Sequence, residues 1–311
     1  MMYRIHLDTD LGGDIDDLCA LAMLLRWRSV EITGITTVAE SGGKRAGYAR
    51  YVLGLEGRQA VPVAAGADVS AGFYRYPELG YPEEDRYWPE RIDLFPGAVN
   101  DALELLKESI EGGATVIAIG PFTNLYLLDL QYPGILRQAD LFLMGGYVFP
   151  IRSGYPPWGN EMDWNIQVDV KSARHVLEHS DPVLIPLSVT VETALRRAYL
   201  SALQNAGALG QLMARQAEAF ALDERNETKY GETCNALPED LINFQHDALA
   251  CAIALGWRDG VEMRALPLLV EEKEGWLHER IDERGKLIRV VTKVDGPSFN
   301  AFWLDKVLNV K

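Results

Sequence analysis

The sequence predicts an α/β fold: a single domain over residues 1–311 with a mostly parallel, open, Rossmann-like β-sheet flanked by helices. Three observations predict it. Short β-rich runs alternate with helical patterns through the first half, as βαβ units do. A dense acidic turn follows the first apolar run and opens a helix, where open α/β sheets hold their ligands. No linker or internal repeat divides the chain.

The elements follow in order. Arg4 to Leu7 and Glu31 to Val38 read as the first two strands. Between them, Asp16 to Trp27 places Leu18, Leu21, Ala22 and Leu25 on one helical face, behind acidic residues suited to a helix N-terminus. Further strands are expected at Val61 to Ala64, Thr115 to Ile119, Leu141 to Met144 and Val183 to Pro186. Helices fit Gly43 to Leu55, Ala98 to Glu111, Asn124 to Leu128 and Val170 to His179. Phe73 to Pro96 and Val148 to Trp164, rich in Pro and aromatic residues, read as long loops, the kind that covers a site. One helix is expected from Leu200 to Leu222 and another from Asp247 to Leu255. Beyond Val261, alternation in Leu287 to Val294 and a turn at Glu274-Gly275 suggest an antiparallel addition, closed by a helix with Phe302 and Trp303.

Composition narrows the function. With 48% hydrophobic and 24% charged residues, the chain has the material for a sizeable core. Its 45 acidic against 30 basic residues give a net charge of −15, the wrong sign for a broad nucleic-acid footprint. Apolar runs such as Leu18 to Leu25 fall well short of the roughly 20 residues of a membrane span, and no export signal opens the chain. A cytoplasmic protein with a neutral or cationic partner is expected. Cys19, Cys234 and Cys251 have no metal or redox spacing and read as reduced core thiols.

The most informative segment is Asp8-Thr9-Asp10-Leu11-Gly12-Gly13-Asp14-Ile15-Asp16-Asp17, with five carboxylates and no basic residue. A helix dipole stabilises one or two such charges by about 0.3 to 1 kcal/mol each, not five. Crowded carboxylates either take up protons or gather a cation, and an all-oxygen group suits Ca²⁺ or Mg²⁺. An EF-hand does not fit, because Gly12 and Cys19 fall where that loop needs ligands. A Mg²⁺ phosphohydrolase of the haloacid dehalogenase type also opens with Asp-x-Asp, and Asp8 would be its nucleophile. It would need a phosphate-holding loop that is not evident here.

Asp-Thr-Asp-x-Gly, the closing Asp16-Asp17 pair and the apolar helix resemble the opening of the inosine-uridine-preferring nucleoside hydrolases. Other matches follow in the same order: Thr36-Thr37-Val38-Ala39, Val61-Pro62-Val63, Ile119-Gly120-Pro121-Phe122-Thr123-Asn124, Met144-Gly145-Gly146, Asp163-Trp164-Asn165-Ile166 and His246-Asp247-Ala248-Leu249-Ala250. They span residues 5 to about 255.

The resemblance implies a nucleoside hydrolase-type fold that cleaves the N-glycosidic bond of ribonucleosides through an oxocarbenium-like transition state. Asp10, Asp17, Asp247 and the carbonyl of Ile119 would bind Ca²⁺, with Asp10 doubling as general base toward the calcium-bound water. Asp8 would support them as a buried neighbour. Asp16 and Asn165 would hold the 2′ and 3′ hydroxyls, Asp163 the 5′ hydroxyl, and Asn160 and Met144 would line the sugar pocket. His246 would assist the departing base. Spacing from Asp10 would instead select Asp14 over Asp16; both neighbouring carboxylates of the Asp16-Asp17 pair are needed, which favours the pair. Trp88, Trp158 and Trp164 are candidates to stack on the base or to lie in an interface. Relatives suggest a homo-oligomer, dimer or tetramer. Besides the phosphohydrolase, a nucleoside- or sugar-binding protein without turnover is the alternative.

Overall fold

Sheet formation starts from β1 (Tyr3–Thr9), whose alternating Ile5 and Leu7 face one apolar layer. The computed structural model describes residues 2–69, 71–75 and 87–309. Parallel to β1 run β2 (Val30–Thr37) and β3 (Val63–Ala65) on one side. On the other run β4 (Thr115–Ala118), β5 (Asp140–Met144) and β6 (Val183–Ile185). A two-stranded ribbon, β7 (Leu195–Arg196) with β8 (Leu241–Asn243), stands apart. The antiparallel addition is β9 (Glu262–Lys273), β10 (Trp276–Ile281) and β11 (Lys286–Lys293), and β11 joins β6 in parallel. The nine-stranded order is β10-β9-β11-β6-β5-β4-β1-β2-β3.

That order matters for function. The chain leaves β1 toward β2 and β3, then returns to lay β4 on the opposite side of β1. The crevice between β1 and β4 is therefore a topological switch point, open at the carboxyl ends of the strands.

Period-two alternation sorts the side chains. Ile117, Phe142 and Met144 join one core layer, while Val116, Ala118, Leu141 and Leu143 join the other. Helices α1 (Asp16–Arg26) and α2 (Lys44–Leu55) cover the first face. Helices α3 (Val99–Glu111) and α4 (Thr123–Gln131) cover the second. A short turn, α5 (Trp164–Gln167), precedes α6 (Val170–His179), also on the second face, and α7 (Leu187–Thr190) follows β6.

Two details differ from the sequence expectation. Helix α1 is buried on every side, not along one stripe, because it lies between the sheet and later helices. The helix expected over Leu200 to Leu222 is two, α8 (Leu200–Gln204) and α9 (Gly207–Glu224). The break is held by the buried Arg26, which pairs with Glu56 at 2.8 Å and donates to the Ala206 carbonyl at 2.7 Å. The long loop expected at 73–96 lies partly, at 76–86, outside the described residues.

The chain closes with α10 (His246–Ala254) and α11 (Gly296–Leu308). Trp303 of α11 is fully buried and donates its indole N–H to the Cys19 carbonyl of α1, 3.0 Å away. Among the described residues, no helix is long and apolar enough to cross a membrane. All three cysteines are buried and free, as expected.

Candidate active site

The acidic turn sits at the switch point. Thr9, the last residue of β1, donates its hydroxyl to the Asp17 carboxylate and accepts the N–H of Leu11 at 3.2 Å. One short side chain thus ties the strand end to the first turn of α1. Helix α10 packs against α1, β4 and β5, and brings its own first turn to the same point. As a result, carboxylate oxygens of Asp16, Asp17 and Asp247 lie within 4.8 Å of one another, all buried.

Burial raises all three carboxyls well above the ordinary carboxylate range, and repulsion from neighbouring carboxylates, Asp10 among them in each case, adds to it. Asp10 is raised too, by burial; the Arg45 guanidinium and a hydrogen bond from the Trp164 side chain oppose that rise. Such a group would hold protons or a cation. Its donors are oxygens alone, which fits a hard divalent ion rather than a soft one.

A cavity of about 840 Å³ opens over this cluster. Asp10, Asp14, Asp16, Asp17, Ile119, Met144, Asp163, Asn165, His246 and Asp247, ten of the residues singled out in the sequence, line it. Ile119 follows β4, directly across the switch point. Gly120 comes next because a Cβ there would lie 2.8 Å from Asp10 Oδ1. The Asn165 amide donates to the carbonyls of Ile119 (3.0 Å) and Met144 (3.2 Å), joining the ends of β4 and β5. Asp163 is buried and accepts the N–H of Gly146, whose φ of +101° turns the peptide inward.

Asp8 lies behind the wall, accepting from Thr36 Oγ1 (2.6 Å) and Asn124 Nδ2 (2.7 Å), with its other oxygen buried and without a partner. His246 donates or accepts at Nδ1 with Thr190 Oγ1, 2.7 Å away, and burial pushes it down to about 4.

Asn160 is not among the residues brought to the cavity. Its amide instead donates to the Leu277 carbonyl of β10 at 3.0 Å, because the turn Asn160–Met162 docks on the C-terminal hairpin. Asp14 is exposed at the cavity mouth, with one oxygen taken by the Asn243 amide, so the buried group forms from the Asp16-Asp17 pair. Trp88 is buried against Tyr48, the rings stacked at 4.1 Å. It is absent from the lining, whereas Trp158 and Trp164 belong to it.

Sequence reasoning missed Arg45, the one Lys or Arg among the described lining residues. Its Nε donates to the Ala39 carbonyl at 2.9 Å. Glu40 makes this possible: its buried carboxylate accepts from the N–H groups of Ser41, Arg45 and Ala46 and from Thr37 Oγ1, fixing the start of α2. It missed as well the aromatic and amide side of the mouth, where Tyr230 and Phe244 pack on Trp158 and Asn226 joins the lining. No local pattern marks these residues.

Buried titratable groups beside the cluster set an expected pH response. Burial pushes Asp163 up to about 7 and Glu279 up to about 8. Both folded values exceed the unfolded one, so their stabilising share is complete in acid and is lost as pH rises through 7 and 8. Burial pushes His6 to about 3 and His246 to about 4, so these oppose folding only as pH falls below the unfolded value of 6.5. Between about pH 7 and pH 9 the carboxyl effect stands alone, and Tm should fall by about 3 °C or more. Thermal melts in excess chelator, where no cation binding adds its own pH dependence, check this; a flat or rising Tm would contradict the burial of Asp163 and Glu279.

The comparisons with known proteins assign this α/β fold and its acidic cavity to the class of enzymes that hydrolyse N-ribosyl bonds. Residues 5–301 match the family described as inosine-uridine preferring nucleoside hydrolase. The non-specific ribonucleoside hydrolase RihC of Salmonella agona is 32% identical over 220 residues, covering 68% of this chain and 69% of that protein. Among solved structures, a plant nucleoside hydrolase, PpNRh1, superposes with a TM-score of 0.79 at 16% identity, over 99% of both chains. The purine-preferring ribonucleoside hydrolase of Gardnerella vaginalis gives 0.75 at 20% identity, over 98% of both. The chain belongs to the inosine-uridine preferring nucleoside hydrolase family.

Proposed function

We propose that the chain hydrolyses ribonucleosides to free base and ribose, with Ca²⁺ held by Asp10, Asp17, Asp247 and the Ile119 carbonyl. The observation that carries the proposal is the convergence of Asp16, Asp17 and Asp247 beneath a cavity that Asn165, Met144 and Asp163 also line. When bound, the ion supplies orientation for a sugar diol and lowers the pKa of water in its shell.

The chain's own residues account for the rest. Cleaving the N-glycosidic bond builds positive charge on the ribosyl ring. Asp16, Asp163 and the amide oxygen of Asn165 stabilise that charge more in the transition state than in the neutral substrate. Asp10 takes the proton from the attacking water, and attack from one face predicts inversion at the anomeric carbon. The fixed hydrogen bonds of Asn165 hold it ready for the sugar. His246 is neutral at pH 7. When Thr190 donates to its Nδ1, the ring proton is on Nε2, where it can meet a leaving base.

A panel of purine and pyrimidine ribosides scored for free base and free ribose tests the proposal. Phosphate release from nucleotides without free base would assign phosphohydrolase chemistry instead, and tight riboside binding with no product would assign a sensor. His246→Ala should lower kcat about a hundredfold for ordinary bases, and by less than about threefold for a nitrophenyl riboside that leaves without a proton. Equal losses on both substrates would remove the leaving-group role.

A further inference from the structure

The C-terminal hairpin does more than extend the sheet. Leu277 of β10 is clamped by the segment that carries Asp163 and Asn165. Its N–H donates to Gln167 Oε1 (2.9 Å), and its carbonyl accepts from Gln167 Nε2 (2.8 Å) and Asn160 Nδ2 (3.0 Å). Glu279, two residues on, shares the strand face of Leu277 and is buried, with 4% of its surface exposed.

Glu279 Oε2 accepts the N–H of Tyr147 at 3.0 Å, and the preceding N–H, that of Gly146, goes to Asp163 Oδ2. Two consecutive backbone donors thus each hold a carboxylate. Each carboxylate keeps a second oxygen, Asp163 Oδ1 and Glu279 Oε1, buried and without a hydrogen-bond partner. A buried acceptor left unmade loses its hydration with nothing in return, so Asp163, which lines the cavity, asks for a ligand with a hydrogen to give. Burial and the charge of Asp163 both disfavour ionisation of Glu279.

We propose that Glu279 is a specificity-determining positioning residue: by holding the Tyr147 N–H it fixes the peptide whose neighbouring N–H holds Asp163, the carboxyl clamp for the 5′-hydroxymethyl end of the sugar. Asp163 touches the hydroxyl, and Glu279 holds Asp163 in the orientation that meets it. This rests on the ribonucleoside reading above. A 5′-hydroxyl has a proton to give, and Asp163 Oδ1, open on the cavity side, is the acceptor that meets it. A 5′-phosphate brings only acceptors and negative charge, so the clamp turns nucleotides away.

The test uses the full-length, cation-loaded protein with inosine and 5′-deoxyinosine. In the unaltered enzyme kcat/KM should favour inosine. Glu279→Ala, which releases the Tyr147 N–H, should reduce that preference about tenfold, and Glu279→Gln, which keeps the Tyr147 contact, should retain it. The loss should fall on KM for inosine, with 5′-deoxyinosine changed by less than about twofold. Asp163→Asn should remove the same preference, and the double variant should lose little more. Glu279→Ala that slows both substrates equally, or neither, would overturn the proposal. Calorimetric binding of the two nucleosides gives the same comparison independently of turnover. A protein that hydrolyses neither nucleoside would therefore sink the functional reading while the binding preference still decides the role of Glu279.

Discussion

Asp10→Asn is expected to lower kcat by roughly a thousandfold or more, the scale of a lost general base, while leaving the fold intact. The side chain sits just past β1 at the rim of the cavity, not in the core, so its removal opens no void. It is also one of several carboxylates that repel each other: its charge raises the carboxyls of Asp16, Asp17 and Asp247. Neutralising it relieves that repulsion. The cation-free variant should therefore melt at or slightly above the unaltered chain, even as activity disappears. Steady-state kinetics and thermal melts on the same preparation check both halves. Turnover within about tenfold of normal would remove Asp10 from the role of base.

Chelation should have the second large effect, abolishing hydrolysis and lowering Tm by several degrees. Three buried carboxylates within 4.8 Å oppose folding when ionised and favour it when a cation sits among them. A ligand that binds only the folded state stabilises it by about 2.7 kcal/mol at a hundred times its Kd. The gain should grow from about pH 6 to pH 8, since protons compete with the ion for the same oxygens. Asp247→Asn should abolish most of the cation's effect on Tm. Calcium and magnesium titrations into the chelated protein tell the two ions apart. An unchanged Tm after chelation, with activity retained, would remove the cation from the site.

Much of the architecture was legible in the chain. The parallel strands from β1 to β6 and the helices between them were visible because apolar periodicity and Gly and Pro punctuation are local signals. Even so, α1 read as a one-sided helix, since nothing near Leu18 tells of the layers formed by α9, α10 and α11. The α8–α9 break was invisible because its support, Arg26, comes from α1. The site was legible in its residue types and in the order of its motifs. Asn160 was placed by the family resemblance, and the structure turns its amide to Leu277. Arg45 carried no signal at all, because it reaches the cavity through Glu40's hold on α2.

The sequence by itself determined the class of sheet, the acidic turn at its carboxyl edge and the need of that turn for a cation or protons. Those conclusions follow from charge density and periodicity within short windows. Only the tertiary structure decided that Asp16 and Asp17, rather than Asp14, meet Asp247, that Trp88 packs on Tyr48 away from the cavity lining, and that Glu279 takes the N–H next to the one held by Asp163. Each of these depends on elements distant in the chain docking at one point, and no local interaction encodes that distance.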